Sequence, residues 1–378
     1  MFDVIVCGAG PAGSVAATLL ARGGARVLVV DRARFPRDKL CGDTINPGTV
    51  AALRRLQLAS RFESRALDVH GMIVTGERDV RVCGDYGDGA HGLALSRRDL
   101  DQALLEEAIA AGARVEEGVL VRAPLVDPTG GRVVRGIVVA GRDGRDVRIP
   151  SPLVIAADGR RSRLALALKL ARQPAAPRRW AIGAYFDGVL GLTSYGEMHV
   201  RRGRYIGIAP LPGGVANVCL VTADRGGLKD PLAVLRAALA SDAQIAERMA
   251  DAGMIAPPIV LGPLALDASA AGVPGLLLAG DAAGFIDPIT GDGLRFAVVG
   301  AELAAHVALG RCARRLRTPH RTLARLRRRQ FAAKWRFNRT LRRLVGSPRA
   351  LEAAGFAAAT APALLRRTIA FAGVVGRR

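Results

Sequence analysis

The chain has 378 residues, half of them hydrophobic and 4% aromatic, which is too long for one small core and too apolar for a disordered polymer. Its formal net charge is +22, but fourteen basic and no acidic residues fall between Arg311 and Arg343, so the rest of the chain carries only +8. The five cysteines are scattered without a CxxC pair and the histidines form no cluster, which argues against a disulfide framework and a metal site and fits a reducing, cytoplasmic setting. The N-terminus opens directly on a strand, with no signal-peptide pattern, and no apolar run reaches the ~20 residues of a spanning helix.

In chain order, residues 2–7 are an apolar run of strand length. Residues 11–22 follow with helical spacing at Val15, Leu19 and Leu20, and 26–30 form a second apolar strand. This predicts a β-α-β unit with a parallel sheet. Residues 47–58 have helical character, and 100–111 form an amphipathic helix with Leu100, Leu104, Leu105, Ala108 and Ile109 on one side. Residues 119–126 and 133–140 predict a hairpin around a Pro/Gly turn at 127–132, and 153–157 a buried strand ending at Asp158-Gly159. Short runs at 180–186, 197–200, 205–209 and 215–222, split by Gly and Pro, predict an inserted antiparallel sheet, followed by a helix over 231–249. Residues 275–279 return to the first sheet, and the chain after Gly293 reads as helical almost to its end.

The expected architecture is therefore α/β: a doubly wound, Rossmann-like FAD-binding domain (1–70, 92–174 and 268–310), an inserted antiparallel β-sheet substrate domain (71–91 and 175–267), and a basic helical C-terminal region (311–378). The chemistry starts at Gly8, Gly10 and Gly13, a GxGxxG turn between strand and helix. The first glycine allows the tight turn, the second lets backbone approach a pyrophosphate, and the third allows close helix–strand packing. Asp31 ends the second strand, where a carboxylate can accept from adenosine ribose hydroxyls. The turn alone does not separate NAD from FAD. Its pairing with a late strand that runs into Gly280-Asp281 is the mark of one FAD wrapped by two distant segments.

Three further stretches, RFPRDKLCGD (34–43), ADGRRSR (157–163) and the Gly-Asp stretch at 280–294, occur in this order. Together they resemble the geranylgeranyl reductase family, within the larger para-hydroxybenzoate-hydroxylase-like group of flavoproteins. The resemblance covers most of residues 1–345. It implies cofactor contacts from Pro11 and Ala12 in the turn, from Arg32 beside Asp31, and from Arg37. It places Cys41, Gly42 and Asp43 beside the isoalloxazine ring, Arg97 at the ribityl-phosphate region and the Val121 backbone at the adenine. Asp158 and Gly159 belong to the Asp-Gly motif; Gly280, Asp281, Pro288 and Gly291 lead to Gly293 and Leu294, whose N–H groups face the flavin N1/O2 edge. A helix N-terminus there favours the negative charge of reduced flavin. The plainer readings are that Asp281 is a helix cap, Asp158 a turn residue and Arg97 a first-turn arginine. Cys41 is the catalytic candidate, against the reading of a buried inert thiol.

Tyr205–Pro210 reads YIGIAP, where well-studied members of the family carry YxWxFP and flavin-dependent halogenases WxWxIP with a catalytic lysine. Gly207 stands at the tryptophan, and the first lysine, Lys39, lies inside the flavin motif, which disfavours halogenase chemistry. Tyr185, Tyr195, Met198, His199 and Tyr205 are candidate lining for a hydrophobic small-molecule substrate. No second GxGxxG unit of comparable quality occurs, so electrons are expected from transiently bound NAD(P)H or from a reduced protein donor. The resemblance implies reduction of carbon–carbon double bonds in an isoprenoid-like or lipid-like substrate; a monooxygenase acting on an aromatic or polyketide-type molecule would use the same motifs. Between Arg311 and Arg343 the arginines interleave with Leu316, Leu323, Leu326, Phe331, Trp335, Phe337 and Leu341. This fits an amphipathic helix pair on an anionic membrane surface, a peripheral placement on a cytoplasmic protein that would suit a lipid-like substrate. The plainer reading is a solvated cationic face packed on the body, and a nucleic-acid partner is not expected, since no recognition motif accompanies the charge.

Overall fold

The computed structural model describes the chain except residues 78–79, 88, 128–131, 142, 176–177, 225, 346–360 and 374–378. A six-stranded sheet forms the base, in the order Gly272–Val273, Leu276–Leu278, Val154–Ala156, Val4–Cys7, Val27–Asp31, Arg114–Glu117. All neighbours in it run parallel except the first pair. Its strands are near-continuous Val, Ile and Leu because both faces are covered. Val4, Val6, Val27, Val29 and Leu277 pack on one face against helices α1 (Pro11–Arg22), α3 (Arg97–Ala110) and α7 (Gly293–Cys312). Ile5, Cys7, Leu28, Val30, Leu276 and Leu278 face the other way. That second face meets the short helix α4 (Arg163–Ala167) and a three-stranded antiparallel sheet of Val121–Val126, Val134–Ala140 and Asp146–Pro150. The hairpin read from sequence supplies the middle strand and one edge of that sheet; most of its turn lies outside the described residues, and the third strand is too polar and exposed to have been singled out.

The inserted sheet has eight strands. Trp180–Asp187, Ala216–Thr222, Arg204–Pro210 and Tyr195–Arg201 pair antiparallel in that order, and Gly71–Thr75 joins Tyr195–Arg201 in parallel before turning back into Arg81–Asp85. Helices α5 (Pro231–Ala240) and α6 (Ala243–Arg248) cover part of it through Leu235, Leu239 and Ile245. The single helix expected over 231–249 is thus two. Asp242 takes an extended conformation and its carboxylate accepts from the Ile245 N–H, capping a new helix instead of continuing the old one. The helix expected over 47–58 is α2 (Pro47–Arg55), stopped just before Gln57, which adopts positive φ.

The C-terminal helices close the molecule. In α8 (Pro319–Val345), Leu323 and Phe331 are buried in the main core, and the Phe331 ring meets Phe296 of α7 edge-on at 5.0 Å. In α9 (Pro362–Gly373), Phe371 stacks edge-on with Phe337 of α8, and Ile369 packs over Gly84 of the inserted sheet. The apolar stripe between Arg311 and Arg343 is therefore turned toward protein, and it is the arginine face that remains outward. Among the described residues one helix, α7, is long and apolar enough to cross a bilayer, but 61% of its apolar window is buried inside the fold. Because Phe331 docks α8 on α7 while 1% exposed, Phe331→Ala should lower stability by about 3–5 kcal/mol. Urea denaturation should show this as a lower midpoint at unchanged slope.

Candidate flavin and substrate site

Among helices α1 to α7, five are capped by a side chain: Asn46, Ser96, Ser162, Asp230 and Asp242 accept from the first turns of α2 to α6. The two without a side-chain cap are α1 and α7. An uncapped helix start presents free N–H groups and positive potential. Both of these starts face one cavity of about 770 Å³, through Gly10, Pro11 and Ala12 of α1 and through Gly293 and Leu294 of α7.

The motifs converge on this cavity by close backbone contact. Gly8, at φ 101°, lies so near Asp158 that a Cβ would come within 2.8 Å of its Cα. Gly280, at φ 58°, faces Ala12, whose methyl would sit 2.8 Å from any added Cβ. Positions 8 and 280 thus admit glycine for both reasons, conformation and space. Cys41, Gly42, Gly159, Asp281, Pro288 and Gly291 also line the cavity.

Several expected contacts are already committed within the protein. Asp31 accepts from the Ala9 N–H at 2.7 Å and the Ala33 N–H at 2.8 Å, tying the glycine turn to the end of the second strand. Asp158 accepts from the Arg163 N–H at 3.0 Å, the turn role, while its second carboxylate oxygen is buried without a partner. Arg97 lines the cavity but also forks onto Asp101 one turn along α3, at 2.7 and 2.8 Å, and Arg37 joins the same carboxylate at 3.1 Å. Burial opposes the Arg97 charge, but Asp101 beside it holds its pKa above the usual arginine value. Burial raises the Cys41 pKa, so this thiol stays neutral. Arg32 is exposed, and Val121, the first residue of its strand in the three-stranded sheet, is buried in the core under it.

Of the five candidate lining residues, Met198 and Tyr205 line the cavity. The other three are turned elsewhere. Tyr195 donates to Asp85, and His199, one residue past Met198 and so on the opposite face of its strand, bonds Glu197 and Thr75 at 2.9 Å each. Tyr185 donates to Asp43. Gly207 lines the cavity, with only Met198 and two backbone carbonyls within 4 Å of an added Cβ.

The sequence reading missed Lys39 and Arg160. Both line the cavity; Arg160 lies 3.8 Å from Asp281, and burial together with nearby Arg97 lowers the Lys39 pKa. Both sit inside motifs that were read, one or two residues from the positions chosen. The far wall is apolar: Met198, Val221, Leu261 and Leu264 from the inserted domain meet Phe337, Leu341 and Leu344 of α8 and Ile369 of α9. Free helix starts and buried cations at one end, and a broad apolar wall at the other, fit the phosphates of FAD and a hydrophobic molecule beyond its ring. No metal-ligating cluster occurs among the described residues.

Residues 1–190 match the model of the FAD binding domain family. The menaquinone reductase of Mycolicibacterium smegmatis is 33% identical over 322 residues, 81% of this chain and 76% of that one. Digeranylgeranylglycerophospholipid reductase 2 of Methanopyrus kandleri is 32% identical over 319 residues, covering the same shares, 81% and 76%. A flavin-dependent brominase superposes with a TM-score of 0.84 over 98% of this chain and 93% of its own, at 19% identity, a likeness of fold alone. The uncapped helix starts, the converging glycine motifs and these relatives lead to one conclusion: the chain belongs to the geranylgeranyl reductase family and is an FAD-dependent oxidoreductase.

Proposed function

We propose that the protein saturates carbon–carbon double bonds in an isoprenoid chain carried by a membrane lipid or quinone. The observation that carries this reading is the shape of the cavity: it runs without interruption from the flavin motifs to an apolar wall completed by α8 and α9. The relatives named as menaquinone and digeranylgeranylglycerophospholipid reductases support the same substrate class. When bound, FAD supplies the hydride chemistry. The protein's part is to hold and orient. The start of α1 and Lys39 would take the diphosphate, Asp281 a ribityl hydroxyl, and the first N–H groups of α7 the N1/O2 edge. Cys41 and Gly42 would lie against the ring, and the apolar wall would exclude water from the reacting carbons. Electrons would come from NAD(P)H bound for a single transfer or from a reduced protein donor.

Arg321, Arg325, Arg328 and Arg329 lie four, three and one residues apart and share the outward face of α8. No carboxylate is within salt-bridge distance of these four among the described residues. They would seat the protein on an anionic bilayer with the cavity-lining end of the same helix close by. Each such arginine contributes on the order of 1 kcal/mol at an anionic surface. Replacing all four with glutamine should therefore weaken sedimentation with phosphatidylglycerol vesicles by roughly a hundredfold or more at low salt, and leave binding to neutral vesicles unchanged.

Two further outcomes test the site. The reduced enzyme, mixed anaerobically with a menaquinone bearing an unsaturated tail or with a geranylgeranyl lipid, should return to oxidised flavin and yield a product heavier by two hydrogens. Reoxidation by neither compound contradicts the proposal. Asp101 is fully buried and holds two arginines, so Asp101→Asn should leave buried cations unpaired. A stability loss of about 3–5 kcal/mol and weaker FAD retention on a desalting column are expected.

A further inference from the structure

Asp43 is a buried carboxyl with no close cation of its own. It is 1% exposed and adopts φ 51°, an unusual conformation for a residue other than glycine. One carboxylate oxygen accepts from the Tyr185 hydroxyl at 2.7 Å and from the Asn217 amide at 2.6 Å. The other, Oδ1, is buried without a hydrogen bond of good geometry, and the backbone N–H of Arg97 lies near enough to the carboxyl to favour its ionised form. The charged and titratable groups that face it are Arg97 from α3, Tyr185 and Cys219 from the inserted sheet, and Cys41 from its own loop. Arg97 is the only cation among these, and it is forked onto Asp101. Holding a full negative charge here is costly, and an acid so placed keeps its proton to unusually high pH. Burial pushes the Asp43 pKa up to about 7, against the donated bonds of Tyr185 and Asn217. The carboxyl itself does not line the cavity, but its chain neighbours Gly42 and Thr44 do, and Asn217 also donates to the Cys41 carbonyl at 3.0 Å.

We infer that Asp43, Tyr185 and Asn217 form a proton store tied to the electron load of the bound flavin. Asp43 gains a proton when the flavin gains its electron pair and gives it up when that pair leaves for the substrate. The physical cause is like charge in a poorly screened space: added negative charge in the cavity that Gly42 and Thr44 line makes a second, at Asp43, more costly. The balance gives the store a use. Saturating one double bond takes two electrons and two protons; a hydride carries both electrons and one proton, so one further proton must be found inside a wall that excludes water. Asp43 is a positioning residue in this scheme, since it touches neither cavity nor ring. The use of the proton rests on the double-bond reading above; the coupling itself rests only on bound flavin.

Two readouts other than turnover test this. In the flavin-free protein, infrared difference spectra across pH should show a carboxyl band that titrates near pH 7 and is missing in Asp43→Asn. In the FAD-loaded protein, the flavin midpoint potential should fall more steeply with pH above about 7 than below it, by one extra proton per electron pair, and this bend should be missing in Asp43→Asn. Tyr185→Phe removes a donor that favours the ionised acid, so it should move the bend to higher pH; it also keeps the test available if the asparagine variant fails to load FAD. Infrared spectra that do not differ between wild type and Asp43→Asn, potential lines that run parallel in all three proteins, or a bend unmoved by Tyr185→Phe would each overturn the inference. A bend without saturation of any isoprenoid would uphold the coupling and remove the substrate assignment instead.

Discussion

Two helix starts left open toward one cavity organise this molecule. Helices α2 to α6 spend a side chain on satisfying their first N–H groups; α1 and α7 have no such cap. These two helices are separated by most of the chain, yet they pack against each other on the same face of the parallel sheet. The glycines at 8 and 280 let the backbone of each come close to its neighbour across the site, Gly8 to Asp158 and Gly280 to Ala12. Everything else at the site is fitted around that pair: the loop of Lys39 to Thr44 along one side, and the inserted sheet with α8 and α9 as the far wall.

Electrostatics then divides the work. Arg37 and Arg97 share the one carboxylate of Asp101, so that corner keeps a net positive charge before any ligand arrives, and Arg97 is fixed in direction. Lys39 makes no such fork among the described residues and is the cation more available to an anion. At the other end of the same loop, the hydrogen bonds to Asp43 come from the neutral side chains of Tyr185 and Asn217. A stretch of five residues, from 39 to 43, therefore carries a partly desolvated cation at one end and a reluctant anion at the other, with the Cys41 thiol between them kept neutral by burial.

Much of this was legible in the sequence, for identifiable reasons. The glycine turn, Asp31 and the Gly280–Asp281 strand end are local motifs whose spacing reflects backbone constraints, and the structure brings them together. The buried strands were legible because a covered parallel sheet demands continuous apolar runs. Side-chain direction in the inserted sheet was not. Met198 and His199 read as equal candidates, and only the strand pairing decides which of the two faces the cavity. The break at Ser241-Asp242 competes with a good helical pattern through a single capping carboxylate. The C-terminal arginines concealed the most. Charge and an apolar stripe predict an amphipathic helix, but nothing local says whether that stripe meets lipid or protein; Phe331 against Phe296 and Phe337 against Phe371 settle it for protein.

The same fold serves reductases and oxygen-using flavoenzymes, so the account turns on how the reduced protein treats oxygen. The direct measurement is stopped-flow reoxidation: FAD-loaded protein is reduced anaerobically with dithionite and mixed with oxygenated buffer while its absorbance spectrum is recorded. A double-bond reductase should return slowly to oxidised flavin with no spectral species in between. A discrete transient that forms quickly and decays to oxidised flavin would contradict the account and assign the cavity to a monooxygenase.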